Sequence, residues 1–148
     1  MKELFAKMVE GKQLSFMDAE TLARQCHDGA APAVKSEEDV LRWLADEYDL
    51  AYTNLEDVEL DRQLLSLFPA RVLLREEILP LKRNNGSVEV ATSRLFATQG
   101  LDTLKTLTGL KLKPVLAPTE AIQREMKKRL GVGADTIDTL GEEAPLQV

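Results

Sequence analysis

Residues 78–92 read ILPLKRNNGSVEVAT, two short runs separated by the dipeptide Asn85-Gly86. A two-residue type I′ turn requires positive φ at both central positions, and Asn-Gly is the dipeptide that adopts it most readily. The stretch is therefore predicted to form a β-hairpin, with strands over 78–83 and 87–92.

The turn also fixes how the two strands pair. Opposite charges then lie across from each other, and so do apolar side chains, which stabilises an antiparallel pair. The expected pairs are Asn84 with Ser87, Lys82 with Glu89, and Leu81 with Val90. Apolar residues of both strands share one face that we expect to be buried; they are Leu79, Leu81, Val88 and Val90.

After the hairpin, a helix, a strand and a second helix are expected. The first helix covers 98–108 and ends at Gly109, a residue suited to a left-handed C-terminal position. Residues 110–117 alternate like a half-exposed strand, and the last helix covers 118–130. A right-handed crossover in the order β, β, α, β, α makes the third strand parallel to the second, with helices on one face. The helical residues expected to point inward are Leu101, Leu104, Ile122, Met126 and Leu130.

Short helices precede the hairpin. They are expected over 2–9, from a Ser15 cap to His27, and from residue 36, where Ser-Glu-Glu-Asp has the form of a capping box. The third helix carries an apolar stripe that predicts core residues, with Trp43 at its rim. That stripe comprises Val40, Leu41, Leu44 and Tyr48. A possible strand over 51–53, a helix capped by Asp61 and ending near Phe68, and a helical turn from Pro69 lead to the hairpin.

These elements together predict an α+β fold made of three segments. A helical N-terminal annex covers residues 1–35, and a ββαβα sheet domain covers residues 36–131. Residues 132–148 are acidic, contain glycine and lack periodicity, which is typical of a linker or tail. We expect that the chain is a piece of a longer polypeptide.

The composition disfavours several classes of protein. The chain has 148 residues and a net charge of −6, whereas a nucleic-acid-binding protein needs a basic face. The basic run 127–129 is interpreted as a solvated helix end, where cations stabilise the helix dipole. Apolar runs are short and the N-terminus does not resemble a secretory signal, so we expect a cytoplasmic protein without direct membrane insertion.

Residues for catalysis or metal binding are sparse. Cys26 and His27 are the only residues of their types, and adjacent helical side chains point about 100° apart, which disfavours a nucleophile–base pair. The acids over 37–39 are better explained by the helix dipole than as a catalytic pair. No GxxxxGK[ST] loop occurs, and the glycines over 131–133 follow a helix and lack the lysine. We therefore expect no enzyme activity, cofactor or metal in this chain.

Several stretches resemble the N-terminal domain of type II secretion and type IV pilus assembly ATPases. They are LRWLADEYDLAYTNL (41–55), the leucine-rich helix that ends at Pro69, ILPLKRNNGSVEVATS (78–93) and LDTLKTLTGLKLKPVLAPTEAIQREMKKRLGVGADTIDTL (101–140). The resemblance covers residues 36–140. Its most characteristic pieces are Leu-Thr-Gly at 107–109 and Leu-Gly-Val-Gly-Ala at 130–134.

This resemblance implies a docking or regulatory role. In such a motor, later domains hydrolyse ATP as a hexameric ring, while the N-terminal domain binds the cytoplasmic part of an inner-membrane platform protein. The expected partners are that platform protein and the rest of the ATPase hexamer. ATP and magnesium are expected only in a C-terminal domain outside this chain, and the location is cytoplasmic, peripheral to the inner membrane through the partner.

The alternative is a regulatory domain that binds cyclic di-GMP. A subset of the family, the MshEN type, binds this dinucleotide through two motifs that begin RLGxxL and end with glutamine. Residues 8–25 resemble the first motif only weakly, since they end in Gln25 but have no Arg-Leu-Gly lead. The second motif would lie before Ser36, where the sequence has GAAPAVK (29–35). Because a cyclic dinucleotide requires arginine stacking and phosphate contacts, we expect no tight binding.

Candidate partner-binding residues lie in the annex. Phe5, Met8, Phe16 and Met17 are large apolar side chains, and methionine adapts readily to a partner surface. Packing of these residues on the sheet or on one another is the alternative. Acids outnumber bases in the first fifty residues, which favours a partner with a basic groove.

Overall fold

The computed structural model describes residues 2–29, 34–56, 58 and 60–130, and in that part of the chain it confirms an α+β fold. The helices are α1 (Lys2–Glu10), α2 (Phe16–His27), α3 (Glu37–Glu47), α4 (Arg62–Leu65), α5 (Ala70–Glu76), α6 (Thr98–Thr108) and α7 (Thr119–Leu130). The strands are β1 (Leu79–Asn84), β2 (Ser87–Thr92) and β3 (Lys111–Leu116). They form one three-stranded sheet in the order β1-β2-β3.

The hairpin is confirmed, with one difference in its pairing. Asn85 and Gly86 have φ of 49° and 86°, the left-handed conformation that a type I′ turn requires. Two predicted pairs occur, Asn84 with Ser87 and Lys82 with Glu89. The third is wrong, because Val90 lies opposite Pro80 and Leu81 is an extra residue in a β-bulge.

The bulge has a visible tertiary contact. The carbonyl of Leu81 accepts a hydrogen bond from the backbone N–H of Asp61, at 3.3 Å. Despite the shift, the four apolar residues predicted for one face of the hairpin are all buried. Leu79, Leu81, Val88 and Val90 are at most 5% exposed.

The second half of the sheet also follows the prediction. β2 and β3 are parallel and pair from Ser87–Lys111 to Thr92–Leu116. Between them, α6 ends at Gly109, which has φ of 71°. Four of the five residues predicted to point inward from α6 and α7 lie in the main core, here called the sheet cluster. The side chain of the fifth, Leu130, lies outside the described part of the structure. Among the members of the sheet cluster are Leu79, Val88, Val90, Leu101, Leu104, Ile122 and Met126.

A second group of buried residues joins the first three helices and is called the N-terminal cluster. It comprises Phe5, Met8, Leu14, Leu22, Val34, Val40, Leu41, Leu44, Ala45 and Leu116. Leu116 belongs to β3, and its N–H and carbonyl bond to Ala51 and Thr53, each at 2.9 Å. The segment predicted as a short strand is therefore a single parallel bridge at Tyr52 beside β3.

Helix ends agree with the local signals, with two exceptions. Ser15 accepts a bond from Asp18 N at 3.0 Å, and Asp61 caps α4 through Gln63 N and Leu64 N. At the start of α3, Ser36 makes no side-chain cap bond, and Asp39 instead accepts from the backbone N–H of Lys35 at 2.9 Å. Helix α4 stops at Leu65, three residues before the predicted end.

The predicted segment boundaries stay predictions. The helix α3, which we assigned to the sheet domain, contributes Val40, Leu41 and Leu44 to the N-terminal cluster. The predicted linker or tail over 132–148 and the glycines over 131–133 lie outside the described residues.

Candidate functional site

Three exposed apolar residues form the candidate docking surface, called here the α2 patch. Phe16 is 66% exposed, Met17 71% and Tyr48 44%. They are three of the five large apolar side chains exposed in the described ranges; the other two are Leu67 and Leu107. Soluble proteins bury most such side chains, so their grouping at one end of α2 makes this surface the candidate for a partner contact.

Helix geometry explains why two of these residues point outward. Helix α2 buries Leu22 in the N-terminal cluster. At about 100° of rotation per residue, Met17 lies about 140° and Phe16 about 120° around the helix axis from Leu22. Both side chains therefore point away from the cluster.

Tyr48 is tied to the same end of α2 by a hydrogen bond. Its hydroxyl donates to the Asp18 carboxylate at 2.6 Å, and Asp18 directly follows Met17. The ring also packs edge-on against Phe96, with centroids 5.9 Å apart. The bond to Asp18 and partial burial raise the pKa of Tyr48 to about 12.

The exposure of Tyr48 corrects the prediction of a core position. The four-residue spacing from Val40 and Leu44 continues to Tyr48 only if the helix does. Here α3 ends at Glu47, and Tyr48 occupies the C-cap with φ of −104° and ψ of 7°. The tyrosine therefore turns away from the helix face that buries Val40 and Leu44.

Two of the four predicted partner-binding residues are core residues. Phe5 is 6% exposed and Met8 1%, and both belong to the N-terminal cluster. Their spacing of three places them on one face of α1, which packs against α2. The expectation of an exposed surface is corrected for these two, whereas the partner contacts of Phe16 and Met17 stay a prediction.

A polar junction connects the first three helices to the sheet domain. Its centre is Glu37, the first residue of α3, whose carboxylate accepts from Thr119 N at 3.1 Å and from Thr119 Oγ1 at 2.6 Å. The Gln13 side chain also donates to Glu37. Ser93 Oγ lies 2.7 Å from Thr119 Oγ1 and extends the network into the end of β2.

A cleft of about 500 Å³ lies beside this junction. It carries the cations Lys7, Lys12 and Arg94, and the acids Glu10 and Glu77 offset part of their charge. Arg94 forms an ion pair with Glu77. The cleft is therefore lined by charges of both signs, and the Arg94–Glu77 ion pair already uses two of its charged side chains.

The acids considered as a catalytic pair all make structural contacts. Glu37 is engaged by Thr119 and Gln13, and Glu38 pairs with Arg42 at 2.9 Å. Asp39 accepts from the Lys35 backbone, as described above.

A second cleft, of about 370 Å³, lies along α3 and contains an arginine stacked on a tyrosine. The Arg42 guanidinium carbon is 4.9 Å from the centre of the Tyr52 ring. Burial raises the pKa of Tyr52, whose hydroxyl has no hydrogen-bond partner among the described residues. Asp46 and Asp49 line the same cleft.

Gln25, the end of the faint dinucleotide motif, is used internally. Its side-chain carbonyl accepts from Trp43 Nε1 at 2.9 Å. Trp43 is half-buried, as predicted for a residue at the rim of the α3 stripe. The contact connects α2 to α3 and occupies one of the groups that the motif would offer to a ligand.

The single cysteine and histidine do not form a site with other ligands. Cys26 is half-buried and His27 is exposed. Within the described ranges, no group of three or more His, Cys, Asp or Glu side chains is arranged to hold a metal ion. None of the helices in those ranges has the length and hydropathy of a membrane span.

Comparison with known proteins finds one family and several similar structures. The MshEN domain matches residues 48–133. A structure of MshE with cdg aligns with a TM-score of 0.56 at 18% identity, covering 85% of this chain and 97% of that chain. The N-terminal domain of XpsE aligns with a TM-score of 0.52 at 17% identity, covering 85% of this chain and 93% of that chain. No curated protein matches the chain.

Proposed function

Because the chain belongs to the MshEN domain family, found at the N-terminus of type II secretion and type IV pilus assembly ATPases, we propose that it is a non-catalytic docking and regulatory domain of such a motor. Its partner is the cytoplasmic part of an inner-membrane platform protein, which holds the motor at the membrane from the cytoplasmic side. ATP and magnesium belong to the motor domain of the hexamer. The chain itself recognises the platform protein and positions the motor at the membrane.

The α2 patch carries this proposal. Phe16 and Met17 are exposed by 66% and 71% and are held on a capped helix, so their positions are fixed before a partner arrives. A preorganised apolar surface loses little conformational entropy on binding. Asp18 lies next to this pair and Asp49 next to Tyr48, so the partner surface that fits is an apolar groove with a basic rim.

Point substitutions test the proposal more sharply than a deletion. Val40, Leu41 and Leu44 are fully buried beside Met8 and Leu22, so removal of α1 and α2 would expose the core of α3. The variant Phe16→Ala/Met17→Ala should leave the fold intact, because both side chains are largely exposed.

The experiment measures binding of the ATPase to the cytoplasmic part of its own platform protein by titration calorimetry. The matched control is Leu67→Ala/Leu107→Ala, which truncates the two other exposed apolar side chains. We expect the α2 variant to weaken binding about tenfold or more, as for anchor residues at an interface. Equal affinity of the two variants would show that docking uses another surface.

A second candidate function is the binding of cyclic di-GMP, abbreviated cdg. The observation that favours it is the shared fold with the structure of MshE with cdg, which goes against our expectation of no tight binding. In this chain the stacked pair of Arg42 and Tyr52 offers a guanidinium at an open cleft. A guanidinium of this kind can stack on a base and bond to a phosphate.

Titration of the chain with cyclic di-GMP tests this candidate independently of platform binding. Saturable heat that is lost in Arg42→Ala but kept in Arg62→Ala would support binding at the α3 cleft, since Arg62 lies on α4 outside that cleft. The absence of heat at high ligand concentration would exclude it.

A further inference from the structure

The α2 patch is bordered by a residue that belongs to none of the first three helices. The loop between β2 and α6 packs against the N-terminal cluster, where its residues Leu95 and Phe96 are half-buried. The Phe96 ring meets the Tyr48 ring edge-on, with centroids 5.9 Å apart and an angle of 76° between the ring planes. Tyr48, a member of the patch, is therefore held partly from outside the N-terminal helices.

Backbone and side-chain contacts fix this loop on both sides of Phe96. The backbone N–H of Phe96 donates to the carbonyl of Lys12 at 3.0 Å, in the turn that follows α1. Arg94 forms an ion pair with Glu77, the C-cap of α5. Lys12 has φ of 65°, a left-handed conformation that costs free energy for a residue with a Cβ and that is common at functional sites. The loop thus connects the sheet domain to the end of α1.

Tyr48 needs both of its anchors, because each restrains a different motion. Its hydroxyl donates to the Asp18 carboxylate at 2.6 Å, which fixes the far end of the side chain. Rotation of the ring about the axis through its hydroxyl leaves that oxygen in place, so the hydrogen bond does not fix the ring plane. The contact with Phe96 does, since aromatic pairs favour an edge-on arrangement over a face-to-face one. The ring face that Tyr48 presents to a partner therefore depends on Phe96.

This dependence affects docking. A side chain that must be ordered on binding lowers the affinity, whereas one already held in place does not. Phe16 and Met17 are held by the capped helix α2, but Tyr48, which is 44% exposed, relies on the loop. We propose that Phe96 is a positioning residue for docking at the α2 patch, an inference that rests on the proposed docking function. The platform protein binds with full affinity only while the β2–α6 loop is seated on the N-terminal helices.

Thermodynamic linkage makes the same contact a means of regulation. Because the seated loop raises the affinity of the patch, a bound platform protein strengthens the loop contact by the same factor. The loop follows β2 and leads into α6, so it moves with the sheet domain. An event that separates the sheet domain from the N-terminal helices therefore weakens docking, and docking opposes that separation.

Titration calorimetry of the ATPase with the cytoplasmic part of its platform protein measures the effect on docking. The matched control for Phe96→Ala is Leu95→Ala, which truncates the neighbouring half-buried side chain of the same loop. We expect Phe96→Ala to weaken binding about threefold to tenfold, the cost of ordering one side chain, and Leu95→Ala to weaken it less than about twofold. Phe96→Tyr retains the ring and should bind like the wild type.

A double-mutant cycle shows whether Phe96 acts through Tyr48. In a Tyr48→Ala background the positioned ring is absent, so Phe96→Ala should cause no further loss of affinity. Additive losses would overturn the proposal, because Phe96 would then act independently of Tyr48. Equal losses in Leu95→Ala and Phe96→Ala would also overturn it, since they would show a general loosening of the loop.

Fluorine NMR of the chain labelled with 3-fluorotyrosine tests the contact without a partner. The chain has two tyrosines, so two resonances are expected, and Tyr48→Phe assigns them. We expect Phe96→Ala to shift the Tyr48 resonance and to leave that of Tyr52 in place, because an aromatic ring shifts only nuclei close to it. An unmoved Tyr48 resonance would contradict the positioning. A shift of both resonances would mean that Phe96 supports the fold in general and would overturn its specific role.

Failure of the docking function itself has a different signature. It would appear as equal affinity of Phe16→Ala/Met17→Ala and Leu67→Ala/Leu107→Ala for the platform protein. The fluorine spectra of Phe96→Ala would still show whether Phe96 holds Tyr48, so the two failures are distinguishable.

Discussion

Glu37 and Thr119 are 82 positions apart in sequence and are joined by two hydrogen bonds, at 3.1 Å from the Thr119 backbone and at 2.6 Å from its hydroxyl. The carboxylate thereby occupies the N-terminal end of α7 while it begins α3. Its negative charge is favourable at both helix N-termini. This side chain therefore makes one of the connections between the N-terminal helices and the sheet domain, beside the packing of Leu116 in the N-terminal cluster.

We predict that Glu37→Ala lowers the free energy of unfolding by about 2 kcal/mol, because hydrogen bonds to a charged group contribute about 1.5–3 kcal/mol. The control is Glu38→Ala, one residue further in the same helical turn. Glu38 has a side chain that is 45% exposed and pairs with exposed Arg42, so its loss should cost about 0.5 kcal/mol. Urea denaturation measures both, and equal costs would contradict the role of Glu37 as a connection.

The hairpin turn yields a second prediction. Gly86 has φ of 86°, and a Cβ built there would meet nothing within 4 Å, so an added methyl group acts only through the backbone. Gly86→Ala should cost about 1–2 kcal/mol, the penalty of a left-handed conformation for an L-residue. Gly11→Ala is the control, because its Cβ would make ordinary contacts, the nearest at 3.5 Å. A thermal unfolding experiment that finds the two variants equal would contradict the type I′ turn.

Local chemistry made much of the fold predictable. The Asn85-Gly86 turn, the Ser15 and Asp61 caps and the end of α6 at Gly109 each depend on residues within a few positions of one another. The local sequence is therefore sufficient to predict these turns and caps. Helices and strands at these positions accordingly begin and end where their caps and turns predict.

Features that depend on distant residues were not predictable. The bulge at Leu81 coincides with a bond from Asp61, and the junction at Glu37 depends on Thr119. No periodicity in the sequence around Leu81 or Glu37 signals either contact. The only sequence signal that Tyr48 is exposed is the pair of acidic residues on either side of it, since acids are unusual beside a core position.

Of the four residues predicted for the candidate site, two are exposed and two are buried, and the reason is again packing between elements distant in sequence. The residue types of the four candidates are typical of an interface; they are Phe5, Met8, Phe16 and Met17. Residue type alone does not determine which face of a helix packs against the core. That choice is made by the packing of α1 and α2 with α3, which buries Phe5 and Met8 and leaves the other pair exposed.

The bond between Tyr48 and Asp18 gives a prediction about pH. Because the folded-state pKa of Tyr48 is raised to about 12, the neutral tyrosine stabilises the fold below its ordinary pKa near 10, and this contribution is lost as pH rises through about 12. In Asp18→Ala the hydrogen bond disappears, so the Tyr48 pKa should fall toward its ordinary value.

Spectroscopic titration of the phenolate measures this change. Burial also raises the pKa of Tyr52, so both tyrosines of the wild type should ionise late, and one of them should ionise earlier in Asp18→Ala. Asp18→Asn retains an acceptor but removes the charge, and it should give an intermediate curve. Superimposable curves for the wild type and Asp18→Ala would mean that Tyr48 does not donate a hydrogen bond to Asp18 in solution.

The last prediction concerns the contact between α5 and α6. A Cβ on Gly100 would lie 2.7 Å from Glu76 Oε1, 2.9 Å from its Cγ and 3.0 Å from its Cβ. Alanine is favoured over glycine in a helix by about 1 kcal/mol, yet here it requires the Glu76 side chain to move out of its packed position. Overpacking of this kind costs about 1–3 kcal/mol, so Gly100→Ala should destabilise the protein.

A double-mutant cycle separates the two effects of Gly100→Ala. In a Glu76→Ala background the Cγ and Oε1 contacts are absent and only the 3.0 Å contact with Cβ persists. The helix preference of alanine should then dominate, so that Gly100→Ala becomes neutral or stabilising in urea denaturation. The same destabilisation in both backgrounds would place its cause outside Glu76 and would contradict a close approach of α5 to α6 at this glycine.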